Sequence, residues 1–131
     1  MPTKNKAQAL HEFWAGFGLP AIDELSSYDE RTMKQLGIAY PYLTYEEAVG
    51  DFDEPISLGA DLYYRSDSWA EIEAKAAEIS DAIGMGGKIV LYDGGGIWIK
   101  RGSPPYRRMS AENEFSIRRI HLNINADFLS A

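Results

Sequence analysis

The side chains that could do chemistry are few, and their spacing argues against catalysis. The chain has two histidines, His11 and His121. They lie far apart in sequence, and neither has an Asp or Glu at a spacing typical of metal ligands, so both read as structural. No HExxH, GxSxG or Ser/His/Asp pattern occurs. Cysteine is absent, which excludes a disulfide framework, a thiolate metal site and a cysteine nucleophile. The run Gly84-Met85-Gly86-Gly87-Lys88 suggests a phosphate loop but has the wrong context. Such a loop needs GxxxxGK, then Ser or Thr, between a strand and a helix. Here the glycines follow a helical pattern and precede a strand pattern, and Ile89 stands where the hydroxyl is required. Gly94-Gly95-Gly96 precedes no helix and reads as a hairpin turn. The acidic group Glu46, Glu47, Asp51, Asp53 and Glu54 does not fit the calcium-loop pattern and reads as a solvated turn. The expectation is a protein that is not an enzyme, with no catalytic, metal or cofactor-binding residues and no cofactor.

A different chemistry, that of contact surfaces, is better represented. Trp98 and Tyr106 lie close in sequence to Arg101, Arg107 and Arg108. Aromatic rings with arginines are the usual composition of an interface hot spot. They also suit a platform for single-stranded nucleic acid, but the net charge of −7 favours a protein partner. With Arg119 on the last strand, the candidate subunit or partner interface is Trp98, Arg101, Tyr106, Arg107, Arg108 and Arg119. Charge is also uneven. Residues 1–87 hold 16 acids and 6 bases, whereas residues 88–131 hold 4 acids and 7 bases. Such polarity suits head-to-tail contact between copies.

The elements that must position these residues follow from periodicity. Leu10, Phe13, Trp14 and Phe17 recur at helical spacing, and Gly18 and Pro20 stop that helix. A short turn, AIDELSS, follows, and residues 26–38 read mostly as loop. Tyr40–Val49 reads as a strand, GDFDEP as a connection, and Ile56–Arg65 as an alternating strand, the pair forming a hairpin. Ser68 and Glu71 form a capping box before a helix whose stripe is Trp69, Ile72, Ala76, Ile79 and Ile83, closed by Gly84. Lys88–Tyr92 and Ile97–Lys100 make a second hairpin. Residues 102–113, with two prolines, read as a long loop that orders on docking. In the final strand Ile120, Leu122, Ile124, Ala126 and Phe128 alternate with Arg119, His121, Asn123, Asn125 and Asp127, leaving a polar face for a neighbouring subunit. The order α-β-β-α-β-β-β implies an α+β fold: one antiparallel or mixed sheet with helices packed on one face.

With 131 residues the chain fits a single domain, 1–131, and 45% hydrophobic with 25% charged residues is an ordinary globular balance. No run approaches the ~20 apolar residues of a membrane span. The N-terminus, MPTKNKAQALHEFW, lacks the apolar core of a signal peptide, so the chain is expected to stay in the cytoplasm unless an assembly carries it out.

One family resembles this arrangement. The stretch AYPYLTYEEAVGDFDEPISLGADLYYRSDSWAEIEAKAAEISDAI is similar to the core of bacteriophage tail terminator (neck, or tail-completion) proteins. The matching residues are Pro41, Tyr42, Thr44 and Tyr45, then Tyr64, Arg65 and Ser66, then the helix from Trp69. YDGGGIWIKRGSPPYRRM and RRIHLNINADFL are similar to members from siphophages and prophages of Gram-positive bacteria. The resemblance implies a structural virion protein, made in the host cytoplasm and placed at the head–tail interface. It would cap the tail tube as a homo-oligomeric ring, expected to be a hexamer, end tail polymerisation and offer a surface to the head. The implied partners are further copies of itself, the tail tube protein and the head–tail connector protein. No membrane and no sequence-specific nucleic acid is implied, although DNA would pass through the ring. The family has no catalytic residues to carry over. The alternatives are another head–tail connector or neck-completion component, a small α/β ligand-binding regulatory domain, and a hydrolase for which no nucleophile–base pair can be named.

Overall fold

The computed structural model describes residues 5–23, 30–46, 56–109 and 117–130. In chain order the elements are α1 (Lys6–Ala15), β1 (Ala21–Asp23), α2 (Glu30–Gln35), β2 (Tyr42–Tyr45), β3 (Ile56–Arg65), α3 (Ala70–Ile83), β4 (Lys88–Tyr92), β5 (Gly95–Met109) and β6 (Ile117–Ser130). The strands form one six-stranded sheet in the order β1-β2-β3-β6-β5-β4. Neighbours are antiparallel except β1 and β2, which run parallel. The α+β class with a single mixed sheet is as expected.

Alternation sets the register. Leu58 lies opposite Ile124, Ala60 opposite Leu122 and Leu62 opposite Ile120, so the apolar parities of β3 and β6 coincide. A slip of one residue would turn both sets toward water. On this face pack Leu10, Phe13 and Trp14 of α1 and Ile72, Ala76, Ile79 and Ile83 of α3. Each fully buried Leu or Ile contributes roughly 1.5–3 kcal/mol through area removed from water. The layer is well filled: the cavity between α3 and the sheet, lined by Ile79, Ile83, Leu122 and Ile124 among others, is about 10 Å³. The Lys75 ammonium donates to the Phe17 carbonyl at 2.9 Å and ties α3 to the end of α1.

The caps differ in part from the sequence reading. At α3 the N-cap is Trp69, with helical φ −85° and ψ −6° and no side-chain cap. Ser68 accepts from the Ala70 amide at 3.0 Å instead, so its hydroxyl is spent one turn position early and no Ser68–Glu71 box forms. The predicted stop at Gly84 holds, with φ 73°, a left-handed conformation that glycine adopts without steric cost. α1 gains an Asn5–Gln8 capping box that periodicity did not reveal.

Three segments depart from expectation. AIDELSS begins as β1, whose Ala21–Asp23 pair with Leu43–Tyr45. Residues 26–38, read as loop, contain α2. Met33 from α2 joins Ile22 and Tyr42 in a second, smaller apolar cluster. Tyr42 pairs with Tyr63, of the parity opposite to Leu62, so this cluster lies on the other side of the sheet. Finally, residues 102–109 are strand, not loop: β5 continues to Met109. The prolines remove two amide donors, and the pairing with β6 shifts between Arg101 and Tyr106 before resuming at Leu122. A bulge absorbs them, so the strand is not ended. The GDFDEP connection, residues 47–49 of the expected strand, and 110–113 of the expected loop lie outside the described residues. So do Glu47, Asp51, Asp53 and Glu54 of the acidic group.

Candidate interaction surfaces

The candidate interface residues do not form one cluster. Parity along β5 and β6 divides them between the two sheet faces. Arg101, Tyr106 and Arg108 lie opposite Ile124, Leu122 and Ile120, on the side covered by α3. There Arg101 donates to the Ser80 hydroxyl at 3.3 Å and Tyr106 packs against the core. Arg108 pairs with Glu73 at 2.6 Å and lies 4.7 Å over the Trp69 ring. Arg118 approaches the same ring at 5.4 Å, so two guanidiniums clasp one indole at the start of α3. The hydrogen bond from Arg108 holds the Glu73 carboxyl below its ordinary range, and Glu73 in turn raises Arg108. On the same face burial pushes the Tyr64 phenol up, and the nearby charges of Glu71 and Glu78 add to the shift.

Trp98, Arg107 and Arg119 project from the opposite, open face, across from Asp127, His121 and Met109. The Trp98 indole donates to the Gly86 carbonyl at 2.9 Å, and the Lys100 ammonium lies 4.6 Å from its ring centroid. Lys100 forms an ion pair with Asp127. Arg119 donates to Asp61 at 3.1 Å, and the same carboxylate oxygen lies 3.1 Å from His121 Nδ1. Gly59 makes room for that ring: a Cβ there would come within 2.6 Å of His121 Cε1. Its amide donates to Glu46 at 3.2 Å. Ser57 and Asn125 continue the polar rows at 3.3 Å. His121 is thus held by Asp61 in a satisfied surface network. His11 sits 6.2 Å from the Tyr45 ring. Among the described residues no three His, Cys, Asp or Glu side chains are grouped to hold a metal.

Three bases of the C-terminal third therefore pair with the chain's own acids, as Lys100–Asp127, Arg108–Glu73 and Arg119–Asp61. Arg107 remains exposed on the open face. Among the described residues no helix is long and apolar enough to cross a membrane.

Two surfaces were not singled out from the sequence. The first is a ladder on the open face: Arg65 over Tyr40 at 5.0 Å, Tyr40 to Tyr42 at 5.2 Å, Tyr42 stacked on Tyr63 at 4.9 Å, and Arg119 over Tyr63 at 5.7 Å. Beside it Met33, Lys34, Ile38, Ala39, Tyr40 and Arg65 line a cavity of about 390 Å³. The density of tyrosine at 40–45 was the available signal. The second is apolar. Among the described residues Met85, Ile89, Leu91, Trp98 and Leu129 are exposed by 96, 53, 72, 36 and 36%. Pairing places Ile89 beside Trp98, and Leu91 and Leu129 on either side of Gly96. All sit at the β4 side of the sheet. The unbroken apolar run Ile89–Tyr92 was the signal, since it offers no polar parity for solvent.

No family model and no curated protein sequence matches the chain. In structure it is similar to a chain of the "Virion of native gene transfer agent (GTA) particle", with a TM-score of 0.55 and 21% identity over 91% of this chain and 84% of that one. The fold of this chain is therefore one also found in a chain of a virion particle.

Proposed function

We propose that the chain is a structural virion protein that caps the tail tube as a ring, ends its polymerisation and presents a surface to the head. The observation that supports this most is the fold shared, over nearly the whole of both chains, with a component of a virion particle. The order of motifs from Pro41 through the α3 helix points the same way, because it is similar to that of tail terminators. On this reading the protein is not an enzyme. Both histidines are accounted for by structural contacts, His121 with Asp61 and His11 with Tyr45. The space under α3 is about 10 Å³, enough for a single water at most, so a ligand would not sit between that helix and the sheet.

The partners on this reading are further copies of the chain, the tail tube protein and the head–tail connector. The test is to add the purified chain to polymerising tail tube protein and image the products by negative stain. Rings at the tube ends, and tubes of uniform length, are the expected result. A chain that leaves tube length unchanged is not a terminator. If it instead binds filled heads and not tails, it is another component of the neck.

A further inference from the structure

We infer that the free protein pairs with a second copy of itself through β4, edge to edge and antiparallel about a two-fold axis at Val90. This rests on the geometry of the β4 edge and not on the ring reading. β4 is the last strand of the sheet order, so one side of its backbone has no strand partner among the described residues. Edge strands are ordinarily blunted by charge, proline or a covering element. This one presents Ile89 and Leu91 on its outer face, more than half exposed, with Met85, Trp98 and Leu129 around them. On its inner side a groove of about 530 Å³ lies between it and α1, lined by the apolar Ala9, Phe13, Phe17 and Val90 and by the charged Glu12 and Lys88. A strand laid on this edge must therefore be apolar on the parity that meets Ile89 and Leu91, and on the other parity must set an apolar centre, flanked by a polar or charged residue, into the groove.

KIVLY itself has that pattern. In the antiparallel register centred on Val90, Ile89 of one copy faces Leu91 of the other, and Val90 faces Val90. Lys88 then faces Tyr92 of the other copy, and the two lysines stand at opposite ends of the ladder, roughly 13 Å apart along the strands. Parallel pairing in register would instead set Lys88 against Lys88, which like-charge repulsion disfavours. The other terminal strand, β1, is a poorer partner. It has three residues, and its central Ile22 is already buried by Met33 and Tyr42. A two-fold contact closes at two copies. It would be the form of the free subunit, covering an edge that otherwise invites aggregation, and would have to open before that edge could serve any larger assembly.

The natural absence of cysteine makes the test direct. Sedimentation of the wild-type protein at micromolar concentration should show a dimer. Ile89→Lys with Leu91→Lys should weaken association by at least roughly a hundredfold and leave the single subunit folded, because both side chains are more than half exposed. Val90→Cys alone should oxidise to a covalent dimer. Lys88→Cys alone should not, whereas Lys88→Cys combined with Tyr92→Cys should. A monomeric wild type, a dimer insensitive to the two lysines, or cross-linking through Lys88→Cys but not Val90→Cys would each overturn the proposal. So would oligomers larger than two that Val90→Cys leaves uncross-linked.

Discussion

At the residue scale, arginines that sequence reading grouped together take separate tasks because strand parity separates them. Arg107 and Arg108 are adjacent, yet one faces the open side beside His121 and the other reaches α3. The Arg108–Glu73 pair makes a pH-dependent contribution whose sign follows from its geometry. Glu73 is depressed in the folded chain by the hydrogen bond from Arg108. Its contribution is therefore present above the ordinary carboxylate value and lost as pH falls through the lowered one. Both groups are solvent-accessible, so the effect is modest and sensitive to salt. Glu73→Gln should lower the melting temperature slightly at neutral pH, and the difference from wild type should vanish in acid. A difference that persists unchanged into acid would show that the pair contributes packing alone.

At the element scale, β6 is the centre of the sheet, paired on both edges with β3 and β5. Its apolar parity carries the core, and Ile124 is 2% exposed. Ile124→Asp would bury an unpaired carboxylate opposite Leu58, at a cost on the order of 4 kcal/mol, a large part of the stability of a small domain. Chemical denaturation should show that loss; an unchanged midpoint would contradict the placement of this strand. β5 shows what its prolines do. A mobile loop was expected at 102–113, but Tyr106–Met109 pair with Arg119–Leu122 across a bulge. Proline at a bulge loses no ladder bond, so it changes register without ending the strand.

At the scale of the whole molecule, the described surface includes an α3 side rich in acids, an open sheet face of polar rows and stacked tyrosines, and an apolar β4 edge. Arg107 is the cleanest probe of the open face. Its side chain is exposed, so Arg107→Glu should leave stability within about 0.5 kcal/mol of wild type. If the open face meets a neighbour or the tail tube, the same change should abolish capping and give tubes of uncontrolled length. Capped tails of normal length would remove the open face from the contact. Arg108→Glu is not an equivalent test, because it places a carboxylate against Glu73 and disturbs the Trp69 clasp.

What the sequence determined by itself was everything that depends on local periodicity. The stripes of α1 and α3, the alternation of β3 and β6, the Gly84 stop and both hairpins are repeats of 3.6 or 2 residues, which survive whatever the fold around them does. The α+β class follows from their order. The sequence also showed that no familiar catalytic motif is present. What only the tertiary structure decided was relational. β1 is three residues long and exists because β2 lies beside it in parallel, so no local pattern announces it. α2 is six residues, too short to fold alone, and depends on burying Met33 against Ile22 and Tyr42. Strand order made β6 central and β4 an edge, which left Ile89 and Leu91 as exposed surface. The division of the six candidate interface residues between two faces came from register across a bulge. Register is a property of two strands together, and neither strand's sequence specifies it alone.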